Sequence, residues 1–148
     1  MLSHIKIPQR KVFLDYSRHE LPQIPSNKFS HYVDWLQNKG IEIEKKEVDP
    51  KRLKATQDEF DKEKIAALMK KPELKPTISS RDGFVLDGHH RWLADYNNKK
   101  LHNTQKVQLP IKTLIDRTHS YDHSFTKKIH ETEIRANLIR KAISESRA

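Results

Sequence analysis

The chain has 148 residues, a net charge of +9 and no cysteine, which excludes a disulfide framework, a thiolate nucleophile and a cysteine-ligated zinc. Hydrophobic residues make up 34% and charged residues 33%, enough for one domain with a modest core, and no apolar run approaches the roughly 20 residues that span a bilayer. No apolar signal segment opens the sequence, so a single-domain cytoplasmic protein is expected, its charge suiting nucleic acid and not a membrane.

Residues 1–25 read as irregular, because Pro8, Pro22 and Pro25 break up a short apolar run at Val12-Phe13-Leu14. Ser26 is placed to cap a helix reaching about Lys39, with Phe29, Val33 and Leu36 on one face, Trp35 beside it and Gly40 closing its C-terminal end. Ile41-Glu42-Ile43-Glu44 alternates apolar and polar, as a half-buried strand continuing towards Val48 does. Asp49-Pro50 marks a turn. After Thr56 a second helix carries Phe60, Ile65, Leu68 and Met69 and stops before Pro72.

Pro76-Thr77-Ile78-Ser79 and Phe84-Val85-Leu86 read as two short strands joined by Arg81-Asp82-Gly83, since glycine tolerates the positive φ of a tight turn. A helix from about His89 to Asn97 follows, burying Trp92, Leu93 and Tyr96. Val107, Leu109 and Ile111 alternate, predicting a strand that Pro110 confines to an edge or a short piece. Residues 124–147 predict the longest helix, with Phe125, Ile129, Ala136, Ile139 and Ile143 in one apolar stripe. Its Lys127, Lys128, Arg135, Arg140 and Lys141 read as a solvated face, with a nucleic-acid or homodimer contact as the sharper alternative.

Chemistry concentrates in Asp87-Gly88-His89-His90-Arg91, where a strand turns into a helix. A helix start carries amide donors and the positive end of the helix dipole, so it favours anions. Gly88 removes a side chain from the approach of a phosphate. Arg91, in the first turn, can offer a bidentate guanidinium, and His89 and His90 can act as donors or, when neutral, as bases. Ser79 and Ser80 are secondary candidates for phosphate contact. Each residue also has a plainer reading: Asp87 as the helix N-cap, and Arg91 paired with a nearby carboxylate. His119 and His123 flank Asp122 at a spacing seen in metal sites, but Ser120 and Ser124 favour a loop and cap, so a structural role is expected there; the isolated His4, His31 and His102 carry no signal.

This run, preceded by Phe84-Val85-Leu86 and followed by Trp92-Leu93-Ala94, resembles the signature of the ParB/sulfiredoxin superfamily. The resemblance covers about residues 48–115 and includes Asp49-Pro50, Leu53-Lys54-Ala55-Thr56-Gln57 and Lys62-Glu63-Lys64-Ile65. It implies an α+β fold, a small mixed sheet flanked by helices, with 1–47 as an N-terminal extension and 116–148 as a long C-terminal helical one. Sulfiredoxins carry a cysteine where His89 stands, and CTP-hydrolysing ParB proteins carry Glu and Arg at His89 and His90. The free serine kinases share the run itself, but their glutamate base falls near Gln57, leaving Glu59 or Asp58 to replace it.

The resemblance is then nearest the ParB-like nucleases, and implies a metal-dependent nuclease acting on DNA. In that reading Asp87 holds Mg²⁺ or Mn²⁺ or orients water, His89 or His90 serves as base or acid, and Gly88, His90 and Arg91 hold the phosphate, with Thr56, Gln57 and Glu59 in support. Likeness to phage-type members implies a phage protein acting in the host cytoplasm. The alternative is a protein binding ATP, ADP or CTP as a kinase-like enzyme or switch, or an inactive module gripping DNA or another protein.

Overall fold

A computed structural model describes residues 2–8, 20–57 and 59–126 of the chain. Five strands form one mixed sheet in the order β2-β6-β4-β5-β3. These are β2 (Ile43–Val48), β3 (Lys54–Ala55), β4 (Thr77–Ser80), β5 (Phe84–Asp87) and β6 (His102–Val107). The hairpin β4–β5 sits inside the sheet, and Gly83 takes the positive φ its turn requires. β6 runs parallel to β4 and antiparallel to β2, while β3 pairs parallel with β5. A separate two-stranded ribbon joins β1 (Pro22–Gln23) to β7 (Phe125–Thr126).

Alternation along the strands divides the core between two faces of the sheet. Ile78, Leu86 and Val107 point to one face, where Tyr32 and Leu36 of α1 (Phe29–Asn38) meet Leu114 and Ile115 of α4 (Ile111–His119). The Tyr32 hydroxyl and Thr118 Oγ1 lie 2.7 Å apart and link these helices. Val85 points to the opposite face, against Ile65 of α2 (Lys62–Met69) and Trp92 and Leu93 of α3 (His89–Asn98). Trp92 is anchored further by its indole N–H, which donates to the Pro50 carbonyl at 2.7 Å. The fold is therefore α+β, with helices on both faces. Residues before 48 are integral to it, since β2 pairs along its whole length with β6 and α1 buries two large side chains.

Several expectations are corrected. Ser26 lies in a 3-10 turn ahead of α1, whose N-cap is Lys28, with no side-chain capping bond. The strand expected around Val107, Leu109 and Ile111 ends at Val107. It lies inside the sheet, and Pro110 precedes a helix instead, because Ile111, Leu114, Ile115 and Thr118 recur at helical spacing and all are buried. Phe125 and Thr126, expected in the C-terminal helix, pair as a strand with Pro22 and Gln23, in keeping with the strand preference of aromatic and β-branched residues. The rest of that helix, with its basic residues and its dimer contact, lies outside the described residues. Among the described residues no helix is long and apolar enough to cross a membrane.

Candidate functional site

β5 carries Asp87 to the sheet's end, and Gly88 turns the chain into α3 with φ +94°, a conformation that disfavours any residue with a Cβ. Gly88 itself occupies the N-cap position, where the plainer reading set Asp87. A Cβ on Gly88 would stand 2.5 Å from Arg91 Nη2 and 2.8 Å from Thr77 Cγ2. The space left by the missing side chain is thus filled by the chain's own guanidinium and a threonine methyl. Arg91 lies back across the turn. Its Nε donates to the Lys75 carbonyl at 3.1 Å and its Nη2 to the Pro76 carbonyl at 3.2 Å, with Asp87 Oδ2 3.7 Å away. Two of the five guanidinium N–H groups are engaged by those carbonyls, and the side chain remains a quarter exposed.

The two histidines are tied to backbone amides of the β3–α2 connection. The Thr56 amide donates to His89 Nε2 at 3.2 Å, and the Asp61 amide donates to His90 Nε2 at 3.0 Å. A backbone N–H can only donate, so Nε2 accepts in each of these two contacts; Thr56 Oγ1 also lies 3.1 Å from His89 Nε2. Both rings are buried, and Phe60 packs beside them with centroids 6.2 and 6.3 Å away. Asp61 in turn caps α2, its Oδ1 accepting from the amides of Glu63 and Lys64. The histidine pair therefore fastens both ends of the connection from β3 to α2 onto α3. Gln57, held within that connection, is buried at the cleft and donates its amide to the Glu59 carbonyl at 2.8 Å.

The remaining sequence candidates divide. Asp87 through Arg91 and Gln57 line one cleft of about 640 Å³, whereas Thr56, Glu59, Ser79 and Ser80 do not. Thr56 is buried, its hydroxyl donating to the Val85 carbonyl at 2.8 Å. Ser79 Oγ accepts from Thr104 within the sheet, and Ser80 braces the hairpin by donating to Asp82 and accepting from the Phe84 amide. Neither serine lines the cleft, and both hydroxyls hydrogen-bond within the sheet and its turn. His119 and His123 are exposed, and the His123 ring stands edge-on to His31 at 5.1 Å.

The cleft lining combines basic and apolar residues. Lys64 of α2 and Lys71 and Lys75 from the following segment line the cleft together with Arg91, and so do Ile24, Pro25, Phe29 and Phe125. Glu73 and Asp87 are the carboxylates of the lining. The Asp87 charge also reaches Tyr32. Burial above all holds that phenol well over its ordinary range, the Thr118 hydrogen bond works against the shift, and Asp87 adds to it. Among the described residues no group of three His, Asp or Glu side chains is placed to hold a metal ion. No protein-family model, curated protein or solved structure matches the chain.

Sequence reasoning missed a buried polar chain behind this site. Asp95 Oδ2 lies 2.7 Å from His102 Nδ1, and His102 Nε2 lies 2.9 Å from Thr77 Oγ1. Thr77 also donates to Thr104 Oγ1 at 2.9 Å. This chain fixes the residue whose methyl packs on Gly88, directly after the two carbonyls that receive Arg91. The signal available was Asp95 one turn from the end of α3 and His102 at the start of β6, but a lone histidine in a polar strand does not announce its partners.

Proposed function

We propose that the cleft at Gly88 binds a phosphate ester of a nucleotide or nucleic acid, and that the chain is a ParB/sulfiredoxin-like protein. The observation that carries the reading is the Arg91 guanidinium laid over the Gly88 turn, at the positive end of α3, on the floor of a cleft with three lysines. The Asp87–Arg91 run and the mixed sheet it closes support the family likeness. Binding draws on more of this geometry than catalysis does, because both imidazole Nε2 atoms accept backbone amides.

Phosphodiester cleavage is the second reading, favoured by the Asp87 carboxylate in the cleft lining beside Arg91. Mg²⁺ is commonly held by one or two carboxylates together with substrate phosphates, so Asp87 would supply the protein ligand to Mg²⁺ or Mn²⁺. When bound, the ion supplies charge neutralisation and an activated water. Asp87 would then hold the ion, and Arg91 would orient the phosphate.

The test titrates ATP, ADP, CTP and pyrophosphate against the protein by calorimetry, in parallel with plasmid incubation with Mg²⁺ or Mn²⁺, with and without chelator. Saturable binding that Arg91→Ala weakens at least tenfold is expected, and no binding of any phosphate compound would overturn the proposal. Metal-dependent nicking lost in Asp87→Asn establishes the second reading; nicking unchanged in that variant refutes it.

A further inference from the structure

Resting on that reading, we propose that the cleft takes the unpaired end of a nucleic-acid strand, with a phosphate on the Gly88–Arg91 floor and a nucleobase against Phe125. The cleft holds about 640 Å³. One or two nucleotides fall in the size range of a small-ligand pocket. The lining holds both components a nucleotide calls for. Lys64, Lys71, Lys75 and Arg91 outnumber Glu73 and Asp87 in it, an excess of positive charge for a backbone.

An aromatic of the lining supplies the stacking surface. Phe125 is 47% exposed, one of two large apolar side chains so exposed among the described residues, and it lines the cleft with Phe29 and Pro25. Its position is fixed by pairing of β7 with β1, where Phe125 stands opposite Gln23. A partly exposed aromatic on a paired strand, lining the same cleft as four cationic side chains, is the combination by which single strands are held without base-specific hydrogen bonds.

The test measures fluorescence anisotropy with a 5′-phosphorylated oligo-dT strand, competed by the same strand without phosphate, by a blunt hairpin duplex of equal length, and by pyrophosphate. The labelled strand is expected to bind, the blunt duplex to compete at least tenfold more weakly than the single strand, and Phe125→Ala to weaken strand binding tenfold or more, while Phe125→Trp retains it. Pyrophosphate is expected to bind Phe125→Ala as it binds the parent. Equal competition by the blunt duplex, or strand binding indifferent to Phe125→Ala, overturns the single-strand inference and leaves phosphate binding standing if pyrophosphate competes. Failure of both strand and pyrophosphate to bind overturns both.

Discussion

Gly88 acts through what its missing side chain accommodates. Gly88→Ala places a Cβ into the Arg91 guanidinium at a positive φ, and the backbone strain alone is worth about 1–2 kcal/mol. Urea unfolding should show that loss, together with weaker pyrophosphate binding as Arg91 leaves its carbonyls; wild-type stability would refute the packing account. His90 is expected to behave as a structural anchor. Its removal strands the Asp61 amide, so His90→Ala should cost about 1–3 kcal/mol in the same measurement, and a fully stable variant would show that water replaces the imidazole without penalty. Tyr32 gives a pH dependence with a definite sign. Its folded-state phenol titrates above the unfolded value of about 10, so the buried neutral form stabilises the fold below that pH and the contribution fades as pH rises beyond it. Unfolding curves between pH 8 and pH 11 (bounds chosen about that unfolded value) should decline less steeply for Tyr32→Phe than for the parent; equal slopes would assign the decline to other groups.

At the scale of elements, α4 depends on a neighbour for its start. The Ile111 amide donates to Asp82 Oδ1 at 3.1 Å, so a residue of the β4–β5 turn serves the helix that Pro110 introduces but cannot cap. Asp82→Ala should cost about 0.5–2 kcal/mol and raise amide exchange in the first turn of α4; unaltered exchange there would show that the bond contributes nothing. This dependence also explains what was legible. The hairpin and α3 were readable because Asp82-Gly83 and Gly88 encode backbone geometry in neighbouring residues. α4 was misread because Pro110 interrupts an apparent alternation, although Ile111, Leu114, Ile115 and Thr118 carry a helical stripe. β6 was misplaced because His102, Thr104 and Gln105 look like a loop until Thr77 and Asp95 are beside His102. The Asp87–Arg91 cluster was found as a cluster, but the task of its histidines was hidden, since their partners are backbone amides of Thr56 and Asp61.

For the whole molecule, the net charge of +9 makes attraction to polyanions general, while the proposed strand binding in the cleft calls for few phosphate contacts. Single strands lose affinity with salt at a log–log slope of about −0.7 per neutralised phosphate. A strand end touching two or three phosphates should therefore show a slope of about −1.4 to −2. Replacing Lys64 and Lys71 by alanine should flatten it, and an unchanged slope would move the backbone track elsewhere on the surface.

Pairing of Gln23 with Phe125 joins segments near the opposite limits of the described chain. Closing so large a loop carries an entropy cost that the sheet and its two cores must already offset. A chain with its strands in register but that ribbon unzipped would keep Arg91 on its carbonyls and lose Phe125 from the lining, so ligand affinity would report on whether the two ends of the fold have met.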